Sequence, residues 1–339
     1  VFSSLVYSIA AFSAAALVIV VAGSLLAKWA DTLADRTGLG EALFGVLLLA
    51  GITSLPDFAA TLSAAMDARP DLAMSNVMGS MAVNLVFLGI ADIVYRRANL
   101  EHAAASDVNL LLAALLIVLL TLPILAIVTP MPAQWVVHPV TPVIVGAYLF
   151  GLRLVHHSRE KPMWFPRMTH QTVADKPEKR PRGQTMTVWI GFITMALITG
   201  VAGWVLMEAA KHIADQGGVS DTLVGGILTA IATSTPELVT TIAAIRLGAL
   251  TLAVSNIFGT NCFNMLVIAA ADIGYSGGAI YHDMASVQMT WGLVSILMTA
   301  ILLLGMLRRE TYGIGRIGFE SASVLLVYIG TLGVMITAS

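Results

Sequence analysis

The sequence predicts an all-α membrane protein of ten transmembrane helices arranged as two inverted five-helix repeats, and three observations carry that reading. The chain is 58% hydrophobic and only 11% charged, with a mean hydropathy of +0.86, whereas a water-facing surface needs nearer a quarter of its residues charged. Its apolar residues fall in blocks of about 20, the length that crosses about 30 Å of hydrocarbon. The chain also matches itself when shifted by 180 residues.

Taken in order, the apolar blocks lie near 5–27, 39–65, 72–95, 107–129, 139–157, 187–209, 219–245, 252–274, 284–307 and 317–337. The first is too long for a signal-peptide core and is read as a span. One long polar stretch, Ser158 to Met186, is rich in Lys, Arg and Pro. It cannot bury enough apolar surface to fold alone and reads as a linker. The expected organisation is therefore a first five-helix repeat over 1–157, a linker over 158–186, and a second repeat over 187–339.

Basic residues orient the spans. The loops after odd-numbered spans, with the adjoining span ends, hold Lys28, Arg36, Arg96, Arg97, Arg153, Arg159, Lys161, Arg167, Lys176, Lys179, Arg180, Arg182, Arg246, Arg308, Arg309 and Arg316, which is sixteen of the 18 basic residues. The other side holds Arg69 and Lys211. The positive-inside rule then puts the linker in the cytoplasm and both termini outside. A net charge of −2, without basic runs interleaved with aromatics, speaks against a nucleic-acid partner and leaves membrane lipid as the surrounding one. The single cysteine, Cys262, excludes an internal disulfide and a thiolate cluster, and reads as a small buried side chain.

The 180-residue shift lays Thr53, Ser54, Pro56 and Asp57 over Thr233, Ser234, Pro236 and Glu237. Without a gap it continues through Ser75, Asn76, Gly79, Asn84, Ala91, Asp92, Ile93 and Tyr95, giving 18 identities in the 51 positions from Gly45 to Tyr95. An odd number of spans separates the copies, so they sit upside down relative to one another, a plan by which transporters build one site with two gates.

Each copy centres on Thr-Ser-x-Pro-acid inside an apolar helix of about 25 residues, where proline removes a backbone donor and frees a carbonyl one turn upstream. A helix break at mid-membrane is expected. The same residues also spell a helix N-cap with Pro in the first turn. Within hydrocarbon, however, a broken backbone and an ionisable side chain are costly unless they line a polar cavity. The following spans add Asn76, Ser80 and Asn84, and Asn256, Thr260 and Asn264, spaced by four so that their oxygens form one stripe on a helix face. Gly79 and Gly259 also permit close helix packing. Carboxylates, amide oxygens, hydroxyls and freed carbonyls make an all-oxygen site for hard cations such as Ca²⁺ and Na⁺. No His or Cys shares the stripe, and His102, His138, His156, His157, His170, His212 and His282 fall in loops or at span ends, where solvated imidazoles are expected. Asp92 and Asp272, at span ends, read as structural. No Gly-x-Gly-Asp sequence supports an intramembrane aspartyl protease, so an enzyme is not expected.

The segments Gly51-Ile-Thr-Ser-Leu-Pro-Asp57 and Ala232-Thr-Ser-Thr-Pro-Glu237, each followed by a helix carrying Gly-Ser or Gly-Thr, resemble the two alpha-repeats of the calcium/cation antiporter superfamily, the sodium/calcium exchangers. The resemblance covers the whole chain. It implies the sodium/calcium exchanger fold, with Asp57 and Glu237 as the acidic ion ligands and Thr53, Ser54, Thr233 and Ser234 supplying hydroxyl or backbone oxygen. It further implies Ser80 and Thr260 as hydroxyl ligands, Asn84 and Asn264 as the paired amides, and Ala50 and Ala230 as carbonyl ligands. Four positions depart from the family pattern: Asp57 where Glu is commoner, Met81 where Asn is usual, and Ser75 and Ser255 where Gly usually precedes the Asn. Asn at both 84 and 264 is similar to members that use sodium and calcium alone.

The resulting expectation is a secondary active antiporter in a bacterial inner membrane, exchanging Na⁺ for Ca²⁺ by alternating access. Spans 2, 3, 7 and 8 would hold the site while spans 1 and 6 move. The ions are substrates, and no cofactor is implied. A proton-coupled or Mg²⁺-preferring exchanger on the same fold, a channel using the same stripe, and a non-transporting Ca²⁺ sensor are the rivals.

Overall fold

The computed structural model describes residues 4–37, 40–129, 135–160, 167, 169–173, 185–217, 230–284, 286–313 and 317–338. Every regular element among them is helical. Helix α1 spans Leu5–Thr37, and the next segment is broken into α2 (Gly40–Phe44), a π-helical turn (Gly45–Leu49), α3 (Ala50–Thr53) and α4 (Leu55–Met66). Then come α5 (Pro70–Tyr95), the short α6 (Leu100–Ala103), α7 (Asp107–Val128) and α8 (Val140–Glu160). The later part comprises α9 (Thr185–Gly217), α10 (Ala230–Thr233), α11 (Thr235–Leu247), α12 (Leu250–Gly274), a 3₁₀ turn (Ile280–Asp283), α13 (Ser286–Arg308) and α14 (Phe319–Ala338).

Seven of these helices are long and apolar enough to cross a membrane, and α2–α4, bent by 50°, makes an eighth if counted as one span. The apolar part of α14, Phe319–Met335, is shorter than that ruler. The start of the expected span at 219–245 lies outside the described residues, as do most of the linker's basic residues. Helices α1 and α9 run past their expected ends at 27 and 209, because charged residues such as Lys28, Asp31 and Arg36 end the hydrocarbon-compatible stretch without ending the helix.

Burial separates an inner pair from an outer one. In their most apolar stretches α5 and α12 are 78% and 89% buried, against 28% for α1. Helix α12 packs on α4, α5, α7 and α8, while α1 lies lengthwise along α9 and against α11. Close approach depends on glycine at a few places. A Cβ on Gly259 of α12 would sit 2.7 Å from the Val46 backbone, and one on Gly203 of α9 would sit 2.6 Å from the Pro56 ring. Gly23 of α1, the residue 180 positions before Gly203, faces Val239 of α11 at 3.0 Å in the same sense. Helix α9 thus crosses over both helix breaks at Gly203, which meets Pro56 and Pro236, and α1 packs on α11 just beyond the second.

The described part of the linker is not detached from the bundle. Thr169 Oγ1 lies 2.7 Å from His102 Nε2, Val173 N donates to Ala103 O at 2.9 Å, and Arg309 donates to Arg167 O at 2.7 Å and to Thr172 Oγ1 at 3.0 Å. Two backbone groups and two threonine hydroxyls hold residues 167, 169, 172 and 173 to α6 and to Arg309.

Candidate ion site

Both Thr-Ser-x-Pro segments break their helices for the same reason. Proline at the first turn of α4 and of α11 has no N–H, and the preceding serine takes the cap position. Ser54 N donates to Ala50 O at 3.1 Å and Ser234 N to Ala230 O at 3.0 Å. Thr53 Oγ1 bonds back to Leu49 O and Ala50 O at 3.1 and 3.3 Å, and Thr233 Oγ1 to Ala230 O at 3.2 Å. The carbonyls of Ala50 and Ala230 therefore each already accept two donors. Neither serine hydroxyl makes the side-chain cap bond that the alternative N-cap reading would require. Ser54 Oγ and Ser234 Oγ are instead buried without a partner.

Asp57, at the start of α4, turns its Oδ1 toward α5, where Ser80 Oγ donates at 2.9 Å and Asn76 Nδ2 at 3.4 Å. Asn76 Nδ2 is anchored in turn on Thr61 Oγ1 at 3.0 Å, and Asn256 Nδ2 is held in the same way by Thr240 and Thr241 at 3.3 and 3.2 Å. The halves are joined at the centre: Ser80 Oγ and Thr233 Oγ1 are 3.3 Å apart. Asn264 and Thr233 stand beside Asp57, and Thr53 and Ser54 beside Glu237, so each acid is flanked by groups from the other half.

What remains unpaired is informative. Asp57 Oδ2, both carboxylate oxygens of Glu237, Asn84 Oδ1, the Asn264 amide, Ser54 Oγ, Ser234 Oγ and Thr260 Oγ1 are buried without a hydrogen-bond partner. Asn76 Oδ1 and Asn256 Oδ1 are unpaired too. A buried polar atom left unsatisfied costs about 1–3 kcal/mol, more if charged, so such a concentration is a binding site's signature. The donors are all oxygen apart from one amide nitrogen, as hard cations require, and no group of three or more His, Cys, Asp or Glu competes for a soft metal among the described residues. A cavity of about 80 Å³ lined by Ser63, Asp67, Arg69, Asn76 and Met207 leads inward to Asn76, next to Asp57.

One member of the cluster escaped the sequence reading. Asn84 Nδ2 donates to Asn261 Oδ1 at 2.9 Å, and Asn261 Nδ2 donates to Met81 O at 2.9 Å. Asn261 stands 180 residues after Met81, so its amide contacts the backbone of its own counterpart. This bridge fixes Asn84 with its Oδ1 free, whereas Asn264 has no such restraint. The only clue in the sequence was the departure at Met81.

The two span-end aspartates act as clamps. Asp92 accepts from Leu100 N at 2.7 Å and Gly318 N at 3.0 Å, and Asp272 accepts from Ile280 N at 3.0 Å and His138 N at 2.9 Å. Ile280 and Gly318 lie 180 residues from Leu100 and His138 respectively, so the two clamps use corresponding donors. Not every histidine is solvated as expected. His102 is 4% and His138 2% exposed, and His102 Nδ1 is 2.7 Å from Arg309 O. Both pack under loops that close over span ends. Cys262 is fully buried, as expected.

A family model for the sodium/calcium exchanger protein matches residues 7–153 and 187–337. The chain belongs to the sodium/calcium exchanger family. This is a family of membrane cation antiporters, transporters and not enzymes. Among relatives of this exchanger-family chain, a protein named as antiporter CaxA from Alkalimonas amylolytica is 28% identical over 328 residues, 93% of this chain and 97% of its own length. The sodium/calcium exchanger MaX1 of Methanosarcina acetivorans is 23% identical, over 94% of this chain and 96% of its own length. The inner membrane protein YrbG of Escherichia coli K12 is 29% identical over 255 residues, 74% of this chain and 75% of its own length. Solved structures of the sodium-calcium exchanger NCX_Mj share the fold, with a TM-score of 0.70 at 20% identity over 97% of this chain and 99% of that one.

Proposed function

We propose that this exchanger-family member is a secondary active antiporter that moves Na⁺ inward to drive Ca²⁺ out, by alternating access at the cluster around Asp57 and Glu237. The carrying observation is that cluster: two buried carboxylates and a shell of unpartnered hydroxyl and amide oxygens, drawn from both halves. Two carboxylates carry −2, which one Ca²⁺ neutralises and two or more Na⁺ balance or exceed, so the two ions exclude each other and exchange follows. Relatives bearing the exchanger name support the same ion pair.

In this reading the chain has ten spans in two inverted repeats over 1–157 and 187–339, with the linker cytoplasmic and both termini outside. The corresponding clamps of Asp92 and Asp272 and the paired glycines Gly23 and Gly203 support the repeat. The docking of residues 167–173 on loops that carry Arg309 and His102 supports a common side for the odd-numbered loops. Movement of α1 and α9 across the helix breaks opens the site to alternate sides, while α4, α5, α11 and α12 hold the ligands in place.

The test is labelled-calcium uptake into vesicles of purified protein loaded with sodium, with potassium or a pH step substituted in parallel. Uptake that requires internal sodium is the expected result. Uptake indifferent to sodium but driven by the pH step would replace this reading with proton-coupled exchange, and downhill flux without any counter-ion would make the protein a channel.

A further inference from the structure

At the Asp92 clamp the molecule carries acids that its counterpart at Asp272 lacks. Beside Asp272, Tyr281 and Thr141 meet through their hydroxyls at 2.9 Å. The corresponding positions beside Asp92 are Glu101 and Ser321, with Ser321 Oγ 3.5 Å from Glu101 Oε1. Position 320 is glutamate where its counterpart, 140, is valine. The Asp272 clamp closes with neutral groups at these two positions, so closure does not require acids at 101 and 320.

Those acids are deeply placed. Glu101 is 5% and Glu320 1% exposed, and Oε2 of each is buried without a conventional donor. The two carboxyl groups are neighbours: Glu101 Oε1 accepts from Ser321 Oγ, on the residue that follows Glu320 in α14. Ionised carboxylates only accept, so such a pair is stable only when one member holds a proton. The surrounding charges do not substitute for it. Asp92 on α5 and Glu310 ahead of α14 add negative charge. Arg308 sits 3.7 Å from Glu310 and stacks over Phe319. Arg309 is committed to Arg167 O and Thr172 Oγ1, and His102 on α6 to Arg309 O and Thr169 Oγ1. Among the described residues none of these basic groups forms an ion pair with Glu101 or Glu320.

We propose that Glu101 and Glu320 form a proton-binding site, separate from the midplane ion cluster, in which one shared proton closes the α6 loop onto α14 and thereby holds the docked linker segment. The proton takes the place that the Tyr281 hydroxyl fills at the other clamp. Burial, reinforced by the charges of Asp92 and Glu320, pushes the Glu101 carboxyl well above its ordinary range. Between that ordinary range and the raised value the closed form binds more protons than the open form. Closure is therefore fully supported at low pH and weakens as pH rises through the raised value. The linker then loosens on an alkaline shift at its own side of the membrane.

The experiment is infrared difference spectroscopy of the full-length purified protein carrying Asp57→Asn and Glu237→Gln, which removes the midplane carboxyls from the spectrum and makes the readout independent of transport. The expected result is a protonated-carboxyl C=O band that disappears on raising the pH and is lost in both Glu101→Gln and Glu320→Gln. Proteolysis of the linker at a fixed alkaline pH should be slower in Glu101→Gln than in the parent, since an amide bonds the remaining carboxylate at any pH. If Glu101→Gln does not fold, Glu320→Gln alone serves both readouts. Absence of such a band in the parent, or its persistence in the folded variants, overturns the assignment.

Discussion

Glu237→Gln separates the two things a buried carboxylate does, hold a cation and destabilise its surroundings. Neither Glu237 oxygen has a protein donor, whereas Asp57 Oδ1 has two. The Thr53 proton beside it is already directed to Leu49 O and Ala50 O. Glutamine changes volume little and removes half of the cluster's −2. Removing one member of a buried charge pair costs about 3–5 kcal/mol, which at 1.4 kcal/mol per decade is two to four orders of magnitude in Ca²⁺ affinity. At a Ca²⁺ concentration 100 times the wild-type Kd, bound ion stabilises the parent by about 2.7 kcal/mol, while a variant bound 100-fold more weakly retains about 0.4 kcal/mol. Thermal melting of the purified protein with and without Ca²⁺ reads this directly. The variant is expected to melt no lower than the parent without Ca²⁺, to show almost no Ca²⁺-dependent shift, and to lose exchange in vesicles. A Ca²⁺-induced shift equal to the parent's would refute the placement of Glu237 among the ligands.

Three further outcomes follow from the packing and the hydrogen bonds. Gly203→Ala sets a Cβ 2.6 Å from the Pro56 ring, an overpacking of about 1–3 kcal/mol. It should lower the melting temperature and slow exchange, while Gly200→Ala, whose Cβ meets only Leu55 at 3.9 Å, should do neither. Asn261→Leu takes the acceptor from Asn84 and the donor from Met81 O. Its expected effect is a rise in the Ca²⁺ KM of about tenfold, from a loss of about 1–3 kcal/mol, which vanishes in an Asn84→Ala background; additive effects in the double variant would show that Asn261 does not act through Asn84. Asp92→Ala and Asp272→Ala each orphan buried N–H donors at about 1–3 kcal/mol apiece. Both should melt lower than the parent with Ca²⁺ affinity of the folded fraction unchanged, and a selective loss of affinity in either would reassign that aspartate to the ion path.

The parts of the fold legible in the sequence were those governed by local chemistry. Proline at 56 and 236, each behind a Thr-Ser pair and ahead of an acid, announced the two breaks; proline alone does not, since α7 runs unbroken through Pro123. The four-residue spacing of Asn76, Ser80 and Asn84 announced a shared face. What stayed hidden depended on distant partners. The π-helical turn at Gly45–Leu49 lies where Gly259 of α12 packs on Val46, a contact across more than 200 residues. The role of Asn261 is set by Asn84 on another helix, and the docking of residues 167 and 169–173 by His102, Ala103 and Arg309, which lie far from them in sequence. The ends of α1 and α9 were misplaced because hydropathy marks where hydrocarbon ends, not where helical hydrogen bonding ends.

The aspartate clamps also bear on how the chain is made. Asp92 is completed by Gly318, and Asp272 by His138, so each half supplies an acceptor whose donor lies in the other half. Asn84 likewise waits for Asn261. While the ribosome is still synthesising the second half, Asp92 has Leu100 N but lacks Gly318 N, and the Asn84 amide lacks its acceptor on Asn261. Neither half is a finished product by itself, and the Asp92 clamp is completed only when residue 318 reaches the membrane. The start of α14, made long after α5, is thus what closes the first half.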